Sequence, residues 1–216
     1  MPETANDKAT TRSRFVNDRL TLGNHLLRQA SRAAVARLLR TTELTGARTV
    51  CAYVSFGTEP DTESLIEGLF RRGVEVLLPV LLADGDLDWA RHDTRPGSGA
   101  LVAGRLGLRE PAGERLGPGA IRTAQAVIVP ALAVSPTGQR LGRGGGSYDR
   151  ALARLADLRT GDRDVRATAP WVCALVYDHE LDAEFPVQPH DQPVDAACSA
   201  ERIVRFTPPG PTAVPS

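Results

Sequence analysis

The stretch "TVCAYVSFGTEPDTESLIEGLFRRGVEVLLPVLL", residues 49–82, decides the fold. Its opening, 49–56, is a short apolar run rich in β-formers, which predicts a buried strand. Its middle, 61–73, opens on Asp61 and Thr62, places apolar residues at 65, 66, 69 and 70, and stops at Gly73. Those are the marks of an amphipathic helix. The end, 74–82, reads as a second buried strand. Strand–helix–strand in that order is a βαβ unit, with a parallel pair and a right-handed crossover.

Upstream, residues 14–40 predict helix, broken near Gly23 and Asn24. Leu26, Leu27, Ala30, Ala33, Ala34, Leu38 and Leu39 follow a helical period with arginines between them. Downstream, 87–92 reads as an additional strand and 93–123, crowded with Gly and Pro, as connection. "AQAVIVPALAV", 124–134, is the most apolar run and predicts a central strand. A helix follows at about 147–157, a buried strand at 171–177, and short β segments at 196–199 and 202–206. The sum is a single-domain α/β fold, a mainly parallel open sheet with helices on both faces. Ligands bind such sheets at the carboxyl ends of the strands. Residues 1–7 read as a frayed, disordered N-terminus, 8–206 as the domain, and the Pro-rich tail 207–216 as disordered.

Composition narrows the function. Lys+Arg and Asp+Glu both number 26 in 216 residues, a neutral balance that argues against a nucleic-acid partner. Cys51, Cys173 and Cys198 form no metal or disulfide pattern and read as buried thiols. With no apolar leader and no run of about 20 apolar residues, the expectation is a cytoplasmic protein without a membrane partner. A monomer is expected. Lys8 is the single lysine.

"RLGRGGGSYDR", 140–150, lies between a predicted strand and a predicted helix. Glycines there permit the dihedrals of an anion-binding nest, and helix N-termini attract anions. Arg140 and Arg143 add charge-assisted donors. Asp149 either sits in the first helical turn or holds Mg2+ beside a nucleotide. The stretch is no Walker A loop, because it has no lysine, and it approaches GxGxxG poorly. A plain glycine-rich turn and a single RNA-binding RGG motif are the competing readings; the neutral charge weighs against RNA.

The longer segment "PALAVSPTGQRLGRGGGSYDR", 130–150, resembles the signature of the 5-formyltetrahydrofolate cyclo-ligase (methenyltetrahydrofolate synthetase) family. "KATTR" (8–12), "SFGTEPDT" (55–62), "GLREP" (107–111) and "HDQPVDAACS" (190–199) match further family segments in order. The resemblance covers about 8–206. It implies ATP-dependent, Mg2+-dependent closure of 5-formyltetrahydrofolate to 5,10-methenyltetrahydrofolate, releasing ADP and phosphate by way of an N5-iminium phosphate. It implies ATP binding by Lys8, Arg12, Arg140, Leu141, Gly142, Arg143, Gly144, Gly145, Gly146, Ser147 and Tyr148, and metal ligation by Asp149 and Asp191. Catalytic roles fall to Arg143 and Glu59. Val54, Glu59, Tyr148 and Trp89 become folate contacts. The chain departs from the family pattern at Val80, Leu106 and Ser147. The alternative is a folate- or nucleotide-binding paralogue of different activity.

Overall fold

The computed structural model describes residues 3–92 and 101–206. The expected βαβ unit is β1 (Thr49–Cys51), a helix at Glu63–Arg71 and β2 (Glu75–Leu81). Ahead of it stand α1 (Glu3–Leu38) and α2 (Thr42–Thr45), so the Glu63–Arg71 helix is α3. The chain continues through β3 (Leu87–Arg91), β4 (Leu101–Ala103), β5 (Arg109–Pro111), β6 (Ala126–Pro130), β7 (Ala133–Val134) and β8 (Arg140–Leu141). It ends with α4 (Ser147–Ala153), α5 (Ala156–Thr160), α6 (Arg163–Ala167), β9 (Trp171–Leu175), β10 (Ala196–Cys198) and β11 (Ile203–Arg205).

Seven strands make the main sheet in the order β11-β10-β9-β6-β1-β2-β3. The inner five are parallel, and β3 and β11 close the two edges antiparallel. From β1 the chain first builds outward to β2 and β3, then returns to place β6 on the other side. The reversal opens a crevice between the carboxyl ends of β1 and β6, where α/β sheets bind ligands.

Period-two alternation splits the strand residues between two cores. Val50, Val76, Leu78 and Ile128 pack with Leu38 of α1 and Leu65 and Leu69 of α3. Cys51, Leu77, Val127 and Val129 pack on the other face with Ala151 and Leu152 of α4, then Leu155 and Ile121. Helices therefore cover both faces. All three cysteines are buried and free, and burial pushes their thiols up, Cys198 to about 12.

Several boundaries moved for identifiable reasons. The strand expected over 49–56 ends at Cys51, because Thr62 Oγ1 donates to the Tyr53 carbonyl and accepts the Ser55 N–H, drawing the chain into a loop. The run 124–134 divides at Pro130, which has no N–H to extend the ladder. Its last part, β7, pairs instead with β8. Helix α1 starts at Glu3, so residues 3–7 are helical where a frayed terminus was expected. There the Thr11 hydroxyl donates to the Asp7 carbonyl one turn back. Residues 1–2, 207–216 and part of the 93–123 connection lie outside the described residues.

The predicted break in α1 is present at Gly23, with φ 75° and ψ 147°. A positive φ is inexpensive only for glycine. Beyond it, Leu27, Ala34, Val35 and Leu38 are buried, whereas Leu26 and Ala33 face solvent despite fitting the apolar period. Before it, Lys8, Phe15 and Arg19 are buried and Arg12 half-buried. That 8-12-15-19 spacing is one face of a helix. The kink thus sends the first half of α1 across the carboxyl edge of the sheet and the second half along its face.

Candidate active site

The crevice is a cavity of about 280 Å³. Tyr53, Val54, Phe56 and Glu59 reach it from the loop after β1, Pro79 and Leu81 from β2, and Pro130 to Leu132 from the end of β6. Lys8 and Arg12 descend from α1, residues 142–149 enclose one side, and Gln188, His190 and Asp191 come from the C-terminal segment. With Leu87 from β3, and Leu108 to Glu110 from β5 and the turn before it, segments remote in sequence meet at one opening.

The glycine loop is held from above and below. Arg12 Nε donates to the Gly142 carbonyl at 2.9 Å. Gly144 and Gly146 have φ of 103° and 68°, in the region that favours glycine, and Gly146 stands at the N-cap of α4. A Cβ on Gly144 would lie 3.4 Å from the Arg12 guanidinium. The backbone and a cation therefore share a space that a side chain would fill. Helix α4 has only seven residues, so side-chain charges rather than its dipole dominate the site's attraction for anions.

Three of the cavity's cations are matched to acids. Lys8 Nζ bonds Asp191 Oδ2 at 2.6 Å, both side chains deeply buried. Arg140 Nη2 bonds Asp149 Oδ1 at 2.7 Å, and its guanidinium lies 5.9 Å from the centre of the Tyr148 ring. Arg143 Nε bonds Glu59 Oε1 at 2.9 Å and its guanidinium covers the Phe56 ring. The pairs join chain segments 183, 9 and 84 residues apart. Burial of the Tyr148 phenol, next to Glu59, pushes it well above the ordinary tyrosine range, so it is neutral at any physiological pH.

Burial alone would raise the Asp191 carboxyl; the Lys8 ammonium and the Gln188 N–H outweigh it and hold the group below its ordinary value of 3.8. A lowered carboxyl contributes stability that is complete above the ordinary value and lost as pH falls through the folded one. Hydrogen exchange should therefore show α1 amides near Lys8 equally protected from neutral pH to about pH 5. Protection should fall below pH 3.8. In Lys8→Ala that acid-dependent step should disappear.

A family model for the 5-formyltetrahydrofolate cyclo-ligase family matches residues 4–200. This chain belongs to that family. The 5-formyltetrahydrofolate cyclo-ligase of Mycolicibacterium smegmatis is 45% identical over 149 residues, which cover 67% of this chain and 69% of that protein. The Escherichia coli cyclo-ligase is 30% identical over 172 residues, covering 79% and 87%. The NMR structure of Aquifex aeolicus 5,10-methenyltetrahydrofolate synthetase shares the fold, with a TM-score of 0.75 over 96% of each chain at 23% identity. The family is one of enzymes, its substrates are small molecules, and family membership implies ATP as co-substrate and supports cyclo-ligase activity in this chain.

Against that membership, most of the anticipated site residues border the one cavity: Lys8, Arg12, Val54, Glu59, Arg140, Gly142 to Tyr148, Asp149 and Asp191. Two do not. Trp89 is wholly buried in the core beneath the sheet, with Leu87 and Ile121. On β3 the pleat turns Leu87 and Trp89 to the same face, but only Leu87, nearer the crevice, borders it. Trp89 is a core residue and does not border the cavity. Leu141 points away from the cavity and packs with Phe15, Leu132 and Ala133, pinning α1 to the loop. Of the departures from the family pattern, Val80 is buried and Leu106 stands exposed at φ 54°; neither lines the cavity.

Among the described residues no three His, Cys, Asp or Glu side chains cluster as metal ligands. The donor set still fits Mg2+, which commonly takes one or two carboxylates and completes its shell with phosphate oxygens and water. Both hydrogen bonds to Asp149 fall on Oδ1 and both to Asp191 on Oδ2. The second oxygen of each carboxylate accepts no hydrogen bond from the described residues, though His190 Nε2 lies 3.9 Å from Asp191 Oδ1.

The sequence reading missed the buried pair Arg19–Glu180 and the cavity carboxylate Glu110. Arg19 Nε and Nη2 contact Glu180 Oε1 and Oε2, and Nη2 also donates to the Ala131 carbonyl at 2.6 Å. Only the 8-12-15-19 spacing could have pointed to Arg19. Nothing local marks Glu180.

Proposed function

We propose that the chain converts 5-formyltetrahydrofolate to 5,10-methenyltetrahydrofolate with consumption of ATP. The observation that carries this is the division of one cavity. Lys8, Arg12, Arg140, Arg143 and the glycine loop make a cationic side, while Val54, Pro79, Leu81, Leu87 and Leu108 make a mainly apolar side that also carries Arg109 and Glu110. A triphosphate suits the first and a flat reduced pterin the second.

Phosphoryl transfer needs alignment and charge neutralisation more than covalent catalysis. The formyl oxygen on N5 attacks the γ-phosphorus, and ADP leaves with the electrons of the cleaved P–O bond. The resulting N5-iminium phosphate has an electrophilic carbon. N10 attacks that carbon and loses its proton, and inorganic phosphate departs with the former formyl oxygen as the ring closes. Lys8 and Arg12 orient the phosphate chain. Arg143, fixed by Glu59 at the boundary between the two sides, stabilises the charge that develops on the transferring group. Leu132 and Tyr148, beside the loop, restrict water near the activated carbon. Asp149 and Asp191 would hold Mg2+, which supplies charge neutralisation at the phosphates.

The test is direct. Protein mixed with 5-formyltetrahydrofolate, ATP and Mg2+ should generate the absorbance of the methenyl product, and omission of ATP should abolish it. Folded protein that gives no product would refute the proposal. Arg143→Ala should lower kcat by roughly 100-fold or more while ATP-independent folate binding changes little. An unchanged kcat would remove Arg143 from the reaction.

A further inference from the structure

We infer that Glu110 is the residue that reads the pterin, accepting hydrogen bonds from the 2-amino group and the adjacent ring N–H of the folate. This rests on the proposed cyclo-ligase reaction. Glu110 lies on β5, only 6% exposed, and borders the cavity on its apolar side near Leu81 and Leu108. Its Oε1 accepts the Leu81 N–H at 3.0 Å, which ties the β4–β5 hairpin to the end of β2. No hydrogen bond to Oε2 is formed by the described residues. The carboxylate packs on Gly104, whose missing side chain makes room for it: a Cβ there would lie 2.2 Å from Glu110 Cδ and 2.6 Å from Oε2.

A carboxylate in an apolar wall is costly unless it gains donors. Glu59, at the boundary between the two sides, already accepts from Arg143 Nε on Oε1 and from the Phe56 N–H on Oε2. Glu110 by contrast keeps an oxygen for a ligand. An ionised carboxylate only accepts hydrogen bonds. With Oε2 unengaged by the described residues and a second lone pair left on Oε1 beside the Leu81 N–H, it suits a ligand edge with two neighbouring donors, and bidentate pairing adds geometry to strength. The 2-amino-4-oxo ring of a reduced pterin has that edge. Adenine does not, because its amino group is flanked by ring acceptors. Glu110 thus assigns the apolar side to the pterin and excludes a reversed placement of the two substrates.

Glu110→Gln tests this, since its carbonyl keeps the Leu81 N–H bond while its NH2 meets the ligand's donors. The KM and Kd for 5-formyltetrahydrofolate should rise roughly 10- to 100-fold. The KM for ATP and the melting temperature should stay near wild type. Wild-type protein should also bind 2-desamino-5-formyltetrahydrofolate about tenfold or more weakly than the parent compound, and Glu110→Gln should barely distinguish the two. Unchanged folate affinity, or equal losses for both substrates with a lowered melting temperature, would overturn the inference and leave Glu110 a strut for the hairpin. Should the variant fail to fold, the wild-type comparison alone decides: equal affinity for both folates refutes the role. Absent turnover by wild type would refute the cyclo-ligase reading itself, an outcome separate from normal turnover that ignores Glu110.

Discussion

Asp149→Asn should lower turnover by roughly 100- to 1,000-fold, the scale of losing one preorganised charge at a phosphoryl-transfer site. The substitution is mild for the fold. The amide oxygen it introduces can still accept from Arg140 Nη2 and the Gln192 N–H, the two bonds that Asp149 makes now. What it removes is the negative charge. The half-saturating Mg2+ concentration should therefore rise together with the loss of kcat, and circular dichroism and melting temperature should change little. A drop in kcat with unaltered Mg2+ dependence would mean that Asp149 serves only to orient Arg140. Wild-type turnover would reduce it to a first-turn residue of α4. The parallel change Asp191→Asn differs, since it also leaves Lys8 without its ion-pair partner.

Glu180→Ala should destabilise the protein by about 3–5 kcal/mol, the cost of leaving a buried charge without its partner. For a chain of this size that lowers the melting temperature by roughly 6–20 °C. Arg19 and Glu180 are both fully buried. Burial pushes the Glu180 carboxyl above its ordinary range even after the contacts with Arg19 are counted. A raised carboxyl disfavours the folded state as pH rises through its range, so the charged pair is held against a desolvation cost. Replacing both residues by Met should accordingly recover much of the lost stability, as removal of whole buried pairs often does. It should not recover activity. Arg19 Nη2 also holds the Ala131 carbonyl at the cavity wall, and its helix carries Lys8 and Arg12 eleven and seven residues upstream. The KM for ATP should stay raised in the double variant. If calorimetry shows Glu180→Ala melting within about 2 °C of wild type, less than a 1 kcal/mol loss would require, the pair does not hold α1 in place.

Much of the architecture was legible because its signals are local. The apolar runs at 49–56, 74–82 and 171–177 marked strands through periodicity and β-branched content, and Gly23 marked the break in α1 through its freedom at positive φ. Where the reading erred over β1 and Trp89, contacts made on folding decided. Thr62 ended β1 early, and Trp89, a pocket candidate through the family resemblance, went to the core because β3 is covered on that face. The site followed the same division. Arg140 to Asp149 stood out as one contiguous loop with unusual composition. Glu110 lay in plain view in "GLREP", but its burial and its bond to Leu81 depend on strands that are 29 residues apart.

The sequence by itself determined the alternation of strands and helices, the neutral charge, and a glycine loop flanked by cations. It does so because hydrophobic period, turn chemistry and charge are properties of neighbouring residues. Only the tertiary structure decided that Lys8 meets Asp191 across 183 residues, that Arg143 meets Glu59, and that an arginine and a glutamate are buried together to hold α1 over the crevice. Those pairings follow from the reversal of strand order between β1 and β6 and from the bend at Gly23, which bring distant segments to one edge of the sheet. No local pattern encodes them, because the energy of an ion pair depends on burial and distance rather than on spacing along the chain.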